Sequence, residues 1–162
     1  KRVMVLLGTR PEAIKLAPVV HELRRRSGSF RCWLCSSGQH DEMLSQALGA
    51  FELSPDRELG VIRSNQSLAG LTSRLFAAID RELEAVRPDW LLVQGDTTTA
   101  YVGSMCAFYR RIKVAHVEAG LRTGNRWAPF PEEVNRSNRL PDTNLVHPDR
   151  QDRRLGPRIS DT

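Results

Sequence analysis

Short aliphatic runs alternate with segments of helical periodicity across residues 2–117, and this alternation constrains the fold more than any single motif. The runs at 2–7, 30–36, 90–94 and 113–117 are too short for core helices and read as strands. Between the first two, residues 12–26 place Ile14, Ala17, Val20 and Leu23 on one helical face, widened by Leu16 and Val19. Residues 67–87 repeat the pattern with Leu68, Leu71, Leu75, Ile79, Leu83 and Val86, while 41–51 and 98–109 are shorter helical segments. Pro88-Asp89 closes the long helix, and a short extra strand is expected at 59–62. The order β-α-β-α-α-β-α-β predicts an α/β chain, a Rossmann-like parallel sheet with helices on both faces.

Composition narrows the partners. The chain of 162 residues carries a formal charge of +5, and only Lys1, Lys15 and Lys113 are lysines, so arginine supplies the excess. Arginine favours bidentate contacts to carboxylate or phosphate. No basic run is interleaved with aromatics and no stretch has the length of a membrane span, so neither nucleic acid nor membrane is an expected partner. An anionic small molecule fits better, in a soluble cytoplasmic chain. Cys32 and Cys35 form a C-x-x-C pair, but within a strand residues three apart face opposite sides of the sheet. They read as buried strand cysteines rather than a redox or zinc site.

Parallel sheets bind ligands at the carboxyl ends of their strands. Four such ends here carry Gly8-Thr9-Arg10, Gly38-Gln39-His40, Gly95-Asp96 and Glu118-Ala119-Gly120. Arg10 precedes a helix opened by Pro11 and Glu12, beside backbone N–H groups suited to an anion. Spacing alone leaves that turn open between an anion site and an ordinary connection. Asp96 could cap the helix that follows or act in catalysis. His116 within its strand reads as a packed histidine or a ligand contact, and His40 as a turn residue or a ligand contact. Glu118 ends a buried strand and needs a partner or a function. Glu132 and Arg136, on a fresh helix start, could reach the same crevice. No dinucleotide or P-loop glycine signature, metal-spaced histidine pair or nucleophile elbow is present, so acid–base chemistry on a bound anion remains.

The ordered motifs GTRPEAIKLAP at 8–18, SGQHDEML at 37–44, QGDTTTA at 94–100, HVEAGLRTG at 116–124 and PFPEEVNR at 129–136 closely resemble those of the non-hydrolysing UDP-N-acetylglucosamine 2-epimerases. The resemblance implies the amino-terminal half of a two-domain glycosyltransferase-B fold, with the active site between the domains. It implies conversion of UDP-N-acetylglucosamine to UDP-N-acetylmannosamine by C2 deprotonation, anti elimination of UDP and syn re-addition, with no cofactor and no metal. The family's catalytic carboxylates fall on Asp96, Glu118 and Glu132. Arg10, Lys15, His116, Arg122 and Arg136 take substrate-binding roles by the same likeness, and Gln39 and His40 help bind a second, regulatory substrate molecule.

The resemblance covers residues 2–136. It divides the chain into an epimerase-like domain at 1–136 and a divergent Arg-, Asp- and Pro-rich tail at 137–162, expected to be loosely structured or docked on the surface. The family's second, UDP-gripping domain has no counterpart in this sequence, so the chain alone is expected to show little or no epimerase activity. A frameshift, a truncation or a deliberate half-protein would each explain the tail. Rival readings are a module that pairs with a separately encoded carboxy-terminal half, a homodimer joined through 41–51 and 67–87, a non-functional remnant, and a hydrolysing UDP-N-acetylglucosamine 2-epimerase.

Overall fold

The strands alternate their side chains between two buried faces, and each face recruits its own pair of helices. The computed structural model describes residues 1–38, 42–62, 65–120, 122–137 and 144–146. Its sheet has six parallel strands: β1 (Arg2–Leu7), β2 (Arg31–Ser36), β3 (Arg57–Glu58), β4 (Trp90–Gln94), β5 (Lys113–Val117) and β6 (Asn144–Val146), in the spatial order β3-β2-β1-β4-β5-β6. The chain winds outward from β1 in one direction and from β4 in the other, which opens a crevice between those two strands at their carboxyl ends.

Helices α1 (Arg10–Arg25) and α2 (Glu42–Ala50) cover one face, where Leu16 and Val20 meet Val3, Val5, Leu7 and Leu34. On the other face lie α3 (Leu68–Val86) and α4 (Thr98–Tyr109), where Leu75, Ile79, Leu83 and Cys106 meet Met4, Leu6, Leu91 and Val93. A Cβ on Gly103 of α4 would lie 2.5 Å from Leu6 Cδ2, so the missing side chain lets α4 seat closely on β1. The two strand cysteines separate as expected: Cys35 lies in the α3–α4 core and Cys32 packs against the α1–α2 core. Burial pushes the Cys35 and Cys106 thiols up to about 12, and all three cysteines are free.

Two details depart from the sequence reading. The extra strand forms at Arg57–Glu58 rather than at 59–62, because these residues pair with Cys35 and Ser36 at the end of β2. Leu59 N–H still bonds to Ser36 O at 2.8 Å, so the chain runs on beside β2 just past the ladder. In the tail, Asn144–Val146 adds a parallel edge strand, in register with Ala115, His116 and Val117. The short α5 (Glu132–Ser137) precedes it. Among the described residues, no helix is long and apolar enough to cross a membrane.

Candidate active site

The turn after β1 is built around a buried carboxylate. Glu12, in the first turn of α1, is 1% exposed. Its Oε2 accepts the N–H groups of Gly8 (2.8 Å) and Thr9 (2.7 Å) and the Thr9 hydroxyl (2.9 Å). Its Oε1 accepts the Thr97 hydroxyl at 2.7 Å, from the turn after β4. Burial pushes the Glu12 carboxyl above the ordinary range, and the Thr97, Gly8 and Thr9 donors pull against that rise. The Gly8 and Thr9 N–H groups of this turn are therefore already taken by the protein's own carboxyl group. A second lock lies beside it: the Ser37 and Thr99 hydroxyls share a hydrogen bond of 2.8 Å, and a Cβ on Gly8 would collide with both.

Next to this junction opens a cavity of about 410 Å³, lined among others by Thr9, Lys15, Gln94, Asp96, Glu118 and Arg136. Lys15 reaches it because α1 carries it one turn beyond Glu12. Asp96 follows Gly95, whose φ of 72° turns the chain sharply out of β4. Thr97, not Asp96, caps α4, accepting the Ala100 N–H at 3.1 Å. Asp96 is left to pair with Arg136 of α5, both with mostly buried side chains, while Asn135 Nδ2 donates to the Asp96 carbonyl at 2.8 Å.

Glu118 stands just past β5 with φ 58°, a left-handed conformation uncommon for a residue with a side chain. Its Oε2 accepts Gln94 Nε2 at 2.5 Å and pairs with Lys15 Nζ. Two carboxylates thus face one cavity, each held by a cation from a different helix. His116 Nε2 carries its proton toward the Gly95 carbonyl at 2.6 Å, bracing the bend that delivers Asp96.

Among the described residues, Arg10, Arg122 and Glu132 are not part of the cavity lining. Arg10 is exposed at the start of α1. Arg122 forms an ion pair with Glu133, Nε to Oε1 at 2.8 Å. Glu133, fully buried, also accepts the N–H groups of Thr123 (3.0 Å) and Gly124 (3.3 Å). The Thr123 amide and the Arg122 guanidinium hold its carboxyl down to about 2. This latch fixes the segment between β5 and α5, and hence the place of Arg136. Glu132 opens α5 with a buried Oε2 that meets no hydrogen-bond donor, one turn before Arg136, whose Nε is likewise buried without a partner. Gln39 and His40 lie outside the described residues. Among the described residues no group of His, Cys, Asp and Glu is placed to hold a metal ion.

Sequence reading passed over Glu12 and Glu133. The signal for Glu12 was present: Thr9-x-x-Glu12 is a capping box, in which the acid reaches back to the amide of the capping residue. No comparable signal marks Glu133, since its partners follow from how the 122–133 segment folds back.

The family model for UDP-N-acetylglucosamine 2-epimerase matches residues 21–155. The chain is 48% identical over 135 residues to the UDP-N-acetylglucosamine 2-epimerase of Bacillus subtilis, covering 83% of this chain and 35% of that protein. A Yersinia pestis protein of the same name is also 48% identical, with 83% and 36% covered. In structure it is similar to the Neisseria meningitidis UDP-GlcNAc 2-epimerase crystallised with UDP-GlcNAc, with a TM-score of 0.81, 45% identity, and 85% of this chain and 37% of that one covered. The architecture is the amino-terminal part of a glycosyltransferase-B-like fold, and the chain spans about 35% of the length of the curated relatives it matches. With a matching family model across most of its length, the chain belongs to the UDP-N-acetylglucosamine 2-epimerase family.

Proposed function

We propose that the cavity at the carboxyl ends of β1, β4 and β5 takes the sugar and diphosphate of UDP-N-acetylglucosamine, and that its carboxylates perform the acid–base half of C2 inversion. The observation that carries this reading is the convergence of Asp96, Glu118, Lys15 and Arg136 on one cavity. In the first step a carboxylate takes the C2 proton and the C2–H electrons form the C1–C2 double bond. The C1–oxygen bond breaks, and UDP leaves with its electron pair. C2 is weakly acidic, so removal of its proton must be concerted with that departure. Lys15 and Arg136 are the cations within reach of a departing diphosphate. Re-addition of UDP to the glycal, with a proton delivered to the opposite face of C2, completes the inversion. Two carboxylates on separate strand ends suit proton traffic on two faces of one sugar. Glu132, whose buried Oε2 meets no donor one turn before Arg136, is the third acid of this proposed set.

These 162 residues supply one wall of the cleft. Lys15 and Glu118 remain partly open to water, so the chain alone is expected to bind the nucleotide sugar weakly and not to turn it over. The proposed nucleotide-sugar substrate supports a cytoplasmic location for the chain. Proton NMR of UDP-N-acetylglucosamine mixed with the purified chain in deuterated water tests the reading. Broadened sugar signals with the C2 proton retained are the expected result. C2 deuteration would show that the 162 residues suffice for deprotonation and overturn the expected inactivity. Accumulation of UDP with free N-acetylmannosamine would favour the hydrolysing reaction instead. Sharp, unshifted sugar signals at millimolar chain would overturn the reading altogether.

A further inference from the structure

We propose that Glu12 is a positioning residue whose carboxylate sets the β1–α1 turn against the β4–α4 turn, so that Lys15 and Asp96 face one ligand. This deepens the substrate reading above and rests on it. Glu12 is separated from Thr97 by 85 residues of sequence, yet one buried side chain ties both turns. Every group pointed at it is a donor: two backbone N–H groups and the Thr9 hydroxyl on Oε2, and the Thr97 hydroxyl on Oε1. A carboxylate is the side chain that offers two acceptor oxygens and no donor. The Thr97 hydroxyl already accepts the Ala100 N–H at 3.1 Å, so its proton is the one available for Glu12.

Each end of the tie leads directly to a cavity residue. Lys15 lies three residues beyond Glu12 on the same helix, and Asp96 is the neighbour of Thr97. Displacing either turn would move a cation and a carboxylate relative to each other. Glutamine can keep the tie, with its oxygen toward Gly8 and Thr9 and its amide donating to a rotated Thr97 hydroxyl. Methionine, of similar length, offers no strong acceptor and leaves the turn amides unpaired.

The test uses the full 162-residue chain, ¹⁵N-labelled, with UDP-N-acetylglucosamine as the probe. Glu12→Met is expected to weaken its apparent affinity about tenfold or more, the scale of leaving the turn's donors unpaired, and Glu12→Gln, which keeps an acceptor there, to stay within about threefold. In ligand-free chain, Thr97→Val is expected to move the Gly8 and Thr9 amide resonances, and to stop moving them once Glu12 is Met. Wild-type affinity in Glu12→Met, or a Gln variant as weak as the Met variant, would overturn the proposal. Should Glu12→Met fail to fold, the Thr97→Val spectrum decides alone, and unmoved Gly8 and Thr9 amides would overturn it. Loss of binding by the wild-type chain would count against the substrate reading only, leaving the amide coupling to judge Glu12.

Discussion

At the carboxyl end of the sheet the carboxylates of Glu12 and Glu133 are almost wholly buried, whereas at the amino end Glu22, Asp80 and Glu84 meet their arginines on the surface. The surface pairs are short, with Arg110 reaching Asp80 at 2.5 Å and Arg25 reaching Glu22 at 2.7 Å, but water screens them and their side chains lose entropy in pairing. The buried acids instead spend desolvation on geometry. Glu12 holds two turns and Glu133 holds the segment 122–124 against α5. Left-handed non-glycine residues occur at both ends, Glu118 here and Arg87 and Arg111 just past α3 and α4 at the other. What separates the carboxyl end is that its buried acids each order a loop there, the pattern expected of a site rather than of a scaffold.

The largest effect expected of a single change is at the carboxyl end. Gly8→Ala forces a methyl group against Ser37 Oγ and Thr99 Oγ1 and is expected to cost about 1–3 kcal/mol, read from the urea midpoint. A smaller loss is expected of Trp33→Phe, which removes the indole N–H bonded to Glu82 at 2.9 Å and should cost about 1 kcal/mol by the same measurement. Glu133→Ala should act locally, raising amide exchange at Thr123 and Gly124 about tenfold or more while β1 amides keep their protection. In the unaltered chain that latch has an acid limit. Because the folded carboxyl lies near 2 and below its unfolded value of 4.5, its contribution is whole above pH 4.5 and fades as pH falls toward 2. Thr123 protection surviving at pH 3.5 and vanishing near pH 2 is the expected profile. The smallest effect belongs to the amino end: Arg110→Ala should leave the unfolding midpoint within experimental scatter, and a large drop there would erase the contrast between the two ends.

Much of the fold was legible because burial on both faces writes itself as aliphatic runs. The bounds of β1, β4, β5 and α4 are those read from the sequence. Helix α1 begins two residues earlier than its periodicity suggests, since Pro11 and a capping box extend it to Arg10. The strand at 57–58 was misplaced because Arg57 and Glu58 are exposed edge residues whose pairing with β2 leaves no apolar signature. Asp96 and Glu118 were found through the strand-end rule, which needs only connectivity; Arg136 came from the helix start that follows, and Lys15 from the family resemblance alone. Partners were not legible. A glutamate in the first turn of a helix ordinarily faces water, and only Thr97, brought alongside by the sheet, turns Glu12 inward. Arg122 looked free for a substrate, yet the return of the chain at α5 gives it to Glu133.

The central claim, that the carboxyl-end cavity is where this chain meets a nucleotide sugar, is tested most directly by titrating ¹⁵N-labelled chain with UDP-N-acetylglucosamine and mapping the amide shifts. Saturable shifts are expected at Gln94, Gly95, Asp96, Thr97 and Glu118, with the amides of Lys1, Arg2 and Asp89 at the opposite end unmoved. Shifts centred on that opposite end, or no saturable shift at the carboxyl end, would contradict the claim.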